Sequence, residues 1–348
     1  MFKKRNIDYN SSILEALKLM DELDVKLLIV LKKVSFVGLL SIGDIQRAII
    51  KNIDLSTKIS KILRREIKIG SKYQKIDSIK KMMFESRMEL CPVVDENDNI
   101  IKVYFWEDFY SNEKPKPIKK FDLPVVIMAG GIGTRMKPIT NVIPKPLIPI
   151  GDQTIIEDIF HRFYLHGSNR FFISVNYKAE LMKFYLENQK LPYNLDFFSE
   201  SKPMGTAGSL SLLKGKIKET FFISNCDILI EQDYSEILQY HRENKNEITI
   251  IAALKHFPIA YGIVETGDNG NLKGLVEKPE LTFKINSGMY ILEPNLINEI
   301  PKDEFFHITH LIEKVRLRGG NIGVFPVSEK SWKDIGNWEE YNKEIKGL

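Results

Sequence analysis

The stretch LPVVIMAGGIGTR, residues 123–135, decides how the larger part of this chain folds. Its first seven residues form a continuous apolar run, which predicts a strand buried on both faces, as in a parallel sheet. Glycines follow the strand at once, where the chain has to turn closely. Ligands of parallel α/β sheets bind at the carboxyl ends of the strands. The stretch therefore predicts an α/β fold with a binding site just after residue 129.

Helical and strand patterns alternate along the rest of the chain. We expect helices over residues 155–166, 179–187 and 235–243, and strands over residues 170–175, 220–224 and 247–254. This alternation is typical of an α/β fold with a mainly parallel sheet.

The loop after the first strand has the composition of a phosphate site. Gly130, Gly131 and Gly133 let backbone N–H groups come close to phosphate oxygens. Arg135 adds a forked cation for the same oxygens. The loop is not a Walker A sequence, because no Gly-Lys-Ser/Thr closes it. It also lacks the strand-ending acidic residue about 20 positions later that a nicotinamide-dependent oxidoreductase needs. Taken alone, it fits either a phosphate site or a tight turn from strand to helix.

The sequence continues to a lysine framed by two prolines, Pro144-Lys145-Pro146. The prolines stiffen the backbone and fix where the ammonium reaches, whereas a surface lysine would not need this frame. The whole block over residues 128–147 resembles the signature of sugar-1-phosphate nucleotidylyltransferases. Because the block is long, the resemblance is specific.

Later motifs of that family recur in the same order, so that the resemblance covers residues 122–348. Residues 200–208, ESKPMGTAG, resemble the base-recognition segment, with Met204 where leucine is common. The resemblance implies Gly130, Gly131, Gly133, Thr134, Glu200, Gly205 and Thr206 for the nucleotide, Tyr261, Gly262, Glu277, Lys278 and Asn286 for the sugar phosphate, and Asp227 and Asp334 for a metal ion.

The same resemblance implies a Rossmann-like, GT-A-type fold and a magnesium-dependent enzyme. A sugar 1-phosphate would attack the α-phosphate of a nucleoside triphosphate, which gives a nucleotide-sugar and pyrophosphate. Arg135 would hold the leaving phosphates, and Lys145 and Lys278 would stabilise the reacting ones. Asp227 and Asp334 would hold Mg²⁺, a hard cation that prefers oxygen ligands. The residues alone also allow plainer roles, namely a cap or salt bridge for either aspartate and a solvated charge for Lys278.

The chemistry of Glu200 favours GTP. Guanine presents two neighbouring donors, N1–H and the 2-amino group, whereas uracil and thymine offer one donor between acceptors. By resemblance, glucosamine 1-phosphate and mannose 1-phosphate are the leading sugars, followed by a heptose phosphate, for bacterial surface-glycan precursors. The alternatives are a homologue that uses UTP or dTTP and a non-catalytic sensor of nucleotide-sugars. The intact set of charged site residues argues against the sensor.

Two prolines and four lysines within residues 111–120 mark a boundary between differently patterned halves. We expect an N-terminal part over residues 1–112 and a linker over residues 113–121, followed by the α/β domain. The N-terminal part repeats at an offset of about 63 residues. The repeat predicts two α+β units, about residues 1–58 and 59–112, that pack face to face.

The first repeat ends in a strand followed by Ser41-x-x-Asp44 at a helix start, which resembles the end of a CBS motif. A CBS pair implies an adenine nucleotide with Ser41 near a phosphate and Asp44 on the ribose hydroxyls, or else a dimerising module. Tyr104 and Glu107 occupy the matching positions of the second repeat, which speaks against a second nucleotide site. Ser41 and Asp44 also fit an ordinary helix cap with an acidic first turn.

Charge and composition exclude several classes of protein. Residues 1–120 carry 24 Lys+Arg against 17 Asp+Glu, but the lysines are scattered without interleaved aromatics, so no nucleic-acid partner is expected. Apolar runs are too short for a membrane span, and the basic start is not followed by an apolar segment. Cys91 and Cys226 have neither disulfide nor zinc spacing, and the six histidines show no catalytic pattern. We expect a cytoplasmic homo-oligomer.

Overall fold

The computed structural model describes residues 2–110, 119–200 and 202–346. The chain divides into two compact units, Met1–Lys116 and Pro117–Leu348. The boundary falls within the expected linker 113–121, of which residues 113–118 lie outside the described residues.

The N-terminal unit contains the same run of elements twice. The first copy consists of β1 (Asn6–Asp8), α1 (Ile13–Leu23), β2 (Leu27–Lys32), β3 (Ser35–Ser41) and α2 (Ile42–Ile50). The second consists of β4 (Gly70–Ser71), α3 (Ile76–Ser86), β5 (Leu90–Val94), β6 (Ile100–Phe105) and α4 (Glu107–Tyr110). In each copy the first strand is parallel to the second, which is antiparallel to the third. The sequence patterns do not predict β1 and β4, because such short strands carry too little pattern.

The two sheets of this unit share one apolar core. Its buried side chains come from both copies: Ile29, Phe36, Leu39, Leu90, Val94 and Val103. The backbone N–H of Phe36 also donates to the carbonyl of Asp98 at 2.8 Å, which links the two copies. One copy alone cannot cover the apolar face of its sheet, so the copies complete each other.

The match between the copies shifts by one residue at the second hairpin. β2 pairs with β3 at Leu27↔Ser41, whereas β5 pairs with β6 at Leu90↔Phe105. Equivalent residues of β2 and β5 lie 63 positions apart in the sequence, and equivalent residues of β3 and β6 lie 64 positions apart. The difference arises because the turn of the second hairpin is one residue longer. Phe105 is therefore the equivalent of Ser41, and the assignment of Tyr104 from the fixed offset is wrong.

The same shift makes Asp108 the equivalent of Asp44, and the assignment of Glu107 is wrong. The N–H of Ser41 donates to Asp44 Oδ2 at 2.9 Å. The N–H of Phe105 donates to Asp108 Oδ2 at 2.8 Å. Both copies therefore use an aspartate three residues on to hold the start of a helix.

The C-terminal unit follows the predicted alternation. Its first half contains β7 (Val125–Met128), β8 (Pro149–Ile150), β9 (Gln153–Thr154), α5 (Ile155–Leu165), β10 (Arg170–Val175), α6 (Ala179–Glu187), β11 (Asn194–Ser199), β12 (Phe221–Asn225) and β13 (Ile228–Ile230). Its second half contains α7 (Tyr234–Glu243), β14 (Ile248–Pro258), β15 (Ile263–Thr266), β16 (Leu272–Val276), β17 (Glu280–Leu292), α8 (Ile308–Leu317), β18 (Ile322–Val327), β19 (Trp332–Asp334) and α9 (Trp338–Lys346).

Seven strands of the described residues form one sheet, in the order β11-β10-β7-β12-β17-β14-β18. β7 lies between β10 and β12 and is parallel to both. The pairs β10–β11 and β14–β18 are also parallel, and β17 is antiparallel to both of its neighbours. The predicted α/β fold with a mainly parallel mixed sheet is confirmed.

The central strand is buried as its apolar run predicts. Val125, Val126 and Ile127 of β7 are 0% exposed. Val126 belongs to a core cluster to which α8 contributes Leu311 and Val315. This packing holds the end of β7 in place beneath the loop that follows it. Within the described residues, no helix has the length and apolar character to span a membrane.

We expect Asp108→Ala to lower the free energy of unfolding of the N-terminal unit by about 1 kcal/mol, the usual cost of a lost helix cap. Glu107→Ala is the matched control, because it removes the neighbouring exposed carboxylate and leaves the cap intact. Urea denaturation followed by circular dichroism measures both variants. An equal loss in the two variants would contradict the equivalence of Asp108 and Asp44.

Candidate active site

Three parallel strands end side by side at one edge of the large sheet. Met128, the last residue of β7, lies in register between Ser174 of β10 and Asn225 of β12. The glycine loop follows β7, and Asp227 follows β12 within two residues. This is the carboxyl edge at which the sequence predicts a site.

The glycine loop packs closely against the chain that follows it. Gly133 has φ +70°, the left-handed region that favours glycine. A Cβ there would lie 2.9 Å from Thr140 Cγ2 and 3.1 Å from Lys145 Cβ. The chain after the loop forms short 3-10 turns, Thr134–Met136 and Ile139–Asn141, instead of an α-helix. The loop is therefore shaped to approach Lys145, and it is not a plain turn from strand to helix.

Two residues that the motifs do not single out hold this segment from the side. The hydroxyl of Tyr177 donates to the carbonyl of Thr140 at 3.1 Å. The Lys178 ammonium donates to the carbonyls of Asn141 and Val142 at 2.7 and 2.9 Å. Polar residues directly after a strand end are the sequence signal that identifies such positions.

A buried ion pair lies at the centre of the site. The Lys145 ammonium contacts Asp227 Oδ2, and the two side chains are 8% and 14% exposed. Lys145 begins the short 3-10 helix Lys145–Leu147, which the flanking prolines stiffen. Arg135 Nη2 lies 3.9 Å from the same oxygen, with its side chain 62% exposed. Lys145 is therefore not a surface lysine, and Arg135 keeps donors free at the mouth of the site.

A second carboxylate lies beside this pair. The β13–β19 ladder places Ile228 opposite Asp334, and the N–H of Ile335 donates to the carbonyl of Asp227 at 2.8 Å. Asp334 Oδ1 is buried and has no hydrogen-bond partner among the residues that the structure describes. Burial, and then the negative charge of Asp227, raise the pKa of Asp334. The positive charges of Arg135 and Lys145 act in the opposite direction on that pKa, so the two carboxylates lie beside two cations. The buried oxygen of Asp334 is a group that a bound cation would satisfy.

These groups line a cavity of about 230 Å³. Its wall consists of Arg135, Asn225, Asp227, Ile228, Asn286, Ser287, Gly288, Tyr290, Trp332 and Asp334. Within the part of the chain that the structure describes, no cluster of three or more His, Cys, Asp or Glu side chains is placed to hold a metal. One or two carboxylates are enough for Mg²⁺, which keeps several of its waters. The unpartnered oxygen of Asp334 and the pair of carboxylates therefore fit a hydrated divalent cation.

The predicted base-recognition residue points inward. Ser174 Oγ donates to Glu200 Oε1 at 2.9 Å, and the N–H of Met204 donates to Oε2 at 3.1 Å. A Cβ at Gly130 would lie 3.5 Å from Oε1. The structure thus brings Glu200 next to the glycine loop.

Gly205 and Thr206 contact another part of the same unit. Gly205 has φ +78°, and a Cβ there would lie 2.8 Å from the carbonyl oxygen of Phe306. Thr206 Oγ1 accepts from the N–H of Ile308 at 3.0 Å and lies 3.3 Å from His307 Nδ1. These contacts fasten the segment after Glu200 to the start of α8. A nucleotide contact by either residue stays a prediction.

The predicted sugar-phosphate residues are divided between two places. Asn286 of β17 lines the cavity. Tyr261, Gly262, Glu277 and Lys278 flank the β15–β16 hairpin, where all four are exposed. Among the described residues they do not belong to the cavity wall, so their predicted role requires a sugar phosphate that reaches beyond it.

The cavity wall also contains residues that belong to the predicted motifs but to which the sequence assigns no individual role. Gly288 has φ +86°, and a Cβ there would lie 2.6 Å from Asn225 Nδ2. Trp332 Nε1 donates to the carbonyl of Ser287 at 3.2 Å. These residues are neighbours in sequence of Asn286, Asp227 or Asp334, and that nearness is the signal that points to them.

Comparison with known proteins identifies the family of the C-terminal unit. Residues 124–348 match the nucleotidyl transferase family. A mannose-1-phosphate guanylyltransferase catalytic subunit beta of Drosophila melanogaster is 34% identical over 182 residues, which cover 50% of this chain and 49% of that protein. A mannose-1-phosphate guanylyltransferase of Mycobacterium tuberculosis is 27% identical over 221 residues, 62% of each chain. The chain thus spans between half and two thirds of the length of these relatives.

Solved structures match the same part of the chain. HddC from Yersinia pseudotuberculosis is 27% identical with a TM-score of 0.51, and the match covers 65% of this chain and 99% of HddC. HddC complexed with GMP-PN is 26% identical, also with a TM-score of 0.51 and the same coverage.

We expect Asp334→Asn to unfold at the same or a higher temperature than the wild type in a chelator, because a carboxylate disfavoured by burial is removed. An excess of Mg²⁺ should raise the melting temperature of the wild type and not that of the variant. Asp303→Asn, an exposed aspartate of the same unit, is the control and should keep the response to Mg²⁺. Thermal unfolding by scanning calorimetry makes the comparison. An equal Mg²⁺ response in Asp334→Asn would exclude Asp334 as a ligand.

Proposed function

Because the chain belongs to the nucleotidyl transferase family, we propose that it transfers a nucleotidyl group from a nucleoside triphosphate to a sugar 1-phosphate and releases pyrophosphate. The observation that carries this proposal is the buried pair of Lys145 and Asp227, with Arg135 and Asp334 beside it at the carboxyl edge of the sheet. The site combines fixed cations for phosphate oxygens with carboxylates for a cation. Transfer of a phosphoryl-type group needs this combination and no protein nucleophile.

Each site residue is proposed to have a role that follows from its position. The glycine loop offers backbone N–H groups to the triphosphate, and the exposed guanidinium of Arg135 binds the β- and γ-phosphates that leave. Lys145 neutralises charge on the reacting α-phosphate. The sugar phosphate oxygen attacks the α-phosphorus in line, and the bond from that phosphorus to the β-phosphate oxygen breaks. Asp227 and Asp334 would hold Mg²⁺, which when bound neutralises phosphate charge.

We propose GTP as the nucleotide. Glu200 is directed towards the glycine loop, and an ionised carboxylate accepts the two neighbouring donors of guanine. The names of the guanylyltransferase relatives and the complex of HddC with GMP-PN support the same base. The names of the relatives also support mannose 1-phosphate over glucosamine 1-phosphate and a heptose phosphate. The proposed place of the reaction is the supply of bacterial surface-glycan precursors.

The exposed hairpin is proposed to contribute to the sugar side of the site. Lys278 adds a cation for the sugar phosphate, and Tyr261, Gly262 and Glu277 lie on the same hairpin. Their exposure leaves them accessible to a substrate that extends from the cavity beyond Asn286.

For the N-terminal unit we propose a CBS pair, on the grounds of its two matching copies and their shared core. Both oxygens of Asp44 are engaged, one by Ser41 and the other by the guanidinium groups of Arg47 and Arg64. This arrangement supports the helix-cap role of Ser41 and Asp44. An adenine nucleotide at this place would have to displace the arginines from the carboxylate. The homo-oligomer and the cytoplasmic location stay predictions.

The deciding experiment is pyrophosphate release with Mg²⁺, with GTP, UTP, dTTP, CTP and ATP each tested against mannose, glucosamine, glucose and N-acetylglucosamine 1-phosphates and a heptose phosphate. We expect release with GTP and one sugar. We expect Asp227→Asn to lower kcat/KM by at least about a hundredfold, because charge stabilisation in the transition state is lost.

Asparagine at position 227 still accepts a hydrogen bond from Lys145 but removes its counter-charge, so we expect the variant to fold with a lower melting temperature. Thermal unfolding checks that it is folded at the assay temperature. Asp303→Asn is the matched control with unchanged activity expected. Wild-type activity in Asp227→Asn would remove this residue from the mechanism. No release with any pair, together with binding of GDP-sugars, would indicate the non-catalytic sensor.

A further inference from the structure

The carboxylate of Glu200 is fixed by donors from two different parts of the chain. Ser174 on β10 donates to Oε1 at 2.9 Å, and the backbone N–H of Met204 donates to Oε2 at 3.1 Å. Ser174 is 0% exposed and Met204 is 1% exposed, so both donors are shielded from water. Because one donor holds each oxygen, the plane of the carboxylate cannot rotate without losing a hydrogen bond.

The two donors leave one acceptor position on each oxygen of Glu200. An ionised carboxylate has about four lone-pair sites, two on each oxygen, and the hydrogen bonds of the described residues use one of each two. N1–H and the 2-amino group of guanine need such a pair of neighbouring acceptors. The glycine loop lies next to this carboxylate, because a Cβ at Gly130 would lie 3.5 Å from Oε1.

We propose that Ser174 is a positioning residue for base selection. It acts through Glu200 by fixing the orientation in which both free acceptor positions meet a guanine edge. A base with one donor, or a carboxylate free to turn, satisfies only one of them. The inference rests on the proposed function, since it requires a guanine nucleotide in this site.

Ser209 provides a matched comparison. Its Oγ lies 3.4 Å from Ser174 Oγ, and it is also 0% exposed. Ser209→Ala removes a buried hydroxyl of the same size and leaves the hydrogen bond from Ser174 to Glu200. The two alanine variants therefore separate a loss of packing from a loss of carboxylate orientation.

The test compares GTP with inosine triphosphate, which keeps N1–H and lacks the 2-amino group, in pyrophosphate release by the full chain. We expect the wild type to prefer GTP by about tenfold or more in kcat/KM, the effect of one hydrogen bond to a charged acceptor. Ser174→Ala should lose most of this preference through a higher KM for GTP, with kcat nearly unchanged. Ser209→Ala should keep the preference. A purely structural role for Ser174 would weaken both nucleotides equally.

The other possible results show whether the inference about Ser174 or the proposed guanine substrate is wrong. The inference is overturned if Ser174→Ala keeps the wild-type preference for GTP, or if its kcat/KM falls equally for GTP and inosine triphosphate. GTP turnover would still support the proposed function in either case. If the wild type uses neither nucleotide, the proposed guanine substrate is wrong and the inference fails with it. If Ser174→Ala does not fold, Ser174→Cys fills the same space with a weaker donor and is expected to lose the preference in the same way.

Discussion

The ion pair between the buried ammonium of Lys145 and the carboxylate of Asp227 is the contact on which the rest of the site depends. A buried charge is stable when it is paired, and each partner here would be costly without the other. Lys145 reaches Asp227 because prolines flank it and because Gly133 lets the preceding loop lie against its Cβ. Asp227 is fixed in turn by the end of β12 and by the N–H of Ile335. One charge pair thus joins the segment after the glycine loop to the segment after β12.

The neighbouring groups keep part of their bonding capacity unused. Asp334 has an oxygen without a hydrogen-bond partner, and Arg135 holds its guanidinium largely in solvent. Glu200 retains one acceptor position on each oxygen after binding Ser174 and Met204. Such incomplete satisfaction costs stability and is typical of sites that bind charged ligands. These groups lie where the strands end, whereas the central strand β7 is buried and apolar at Val125, Val126 and Ile127.

Much of this architecture follows from the sequence, and the parts that do not have definite physical reasons. The apolar run ending at Ala129 predicts the central strand, and the long block around Lys145 identifies the site. Ser174 is not predicted, because a single serine in an apolar strand shows its partner only when the sheet is assembled. Lys278 is assigned to the site by motif, yet the hairpin places it in solvent. Asp108 is missed because a fixed repeat offset ignores the length of a turn.

That longer turn, over residues 96–98, changes what the duplicated N-terminal unit is. Its last residue, Asp98, accepts a hydrogen bond from Phe36 of the other copy, so the two copies are no longer interchangeable. Either copy by itself would leave the shared apolar face open to water, and the first copy would also leave the N–H of Phe36 without its partner Asp98. The unit is therefore organised as a tethered heterodimer, and we expect its two halves to unfold in one cooperative transition.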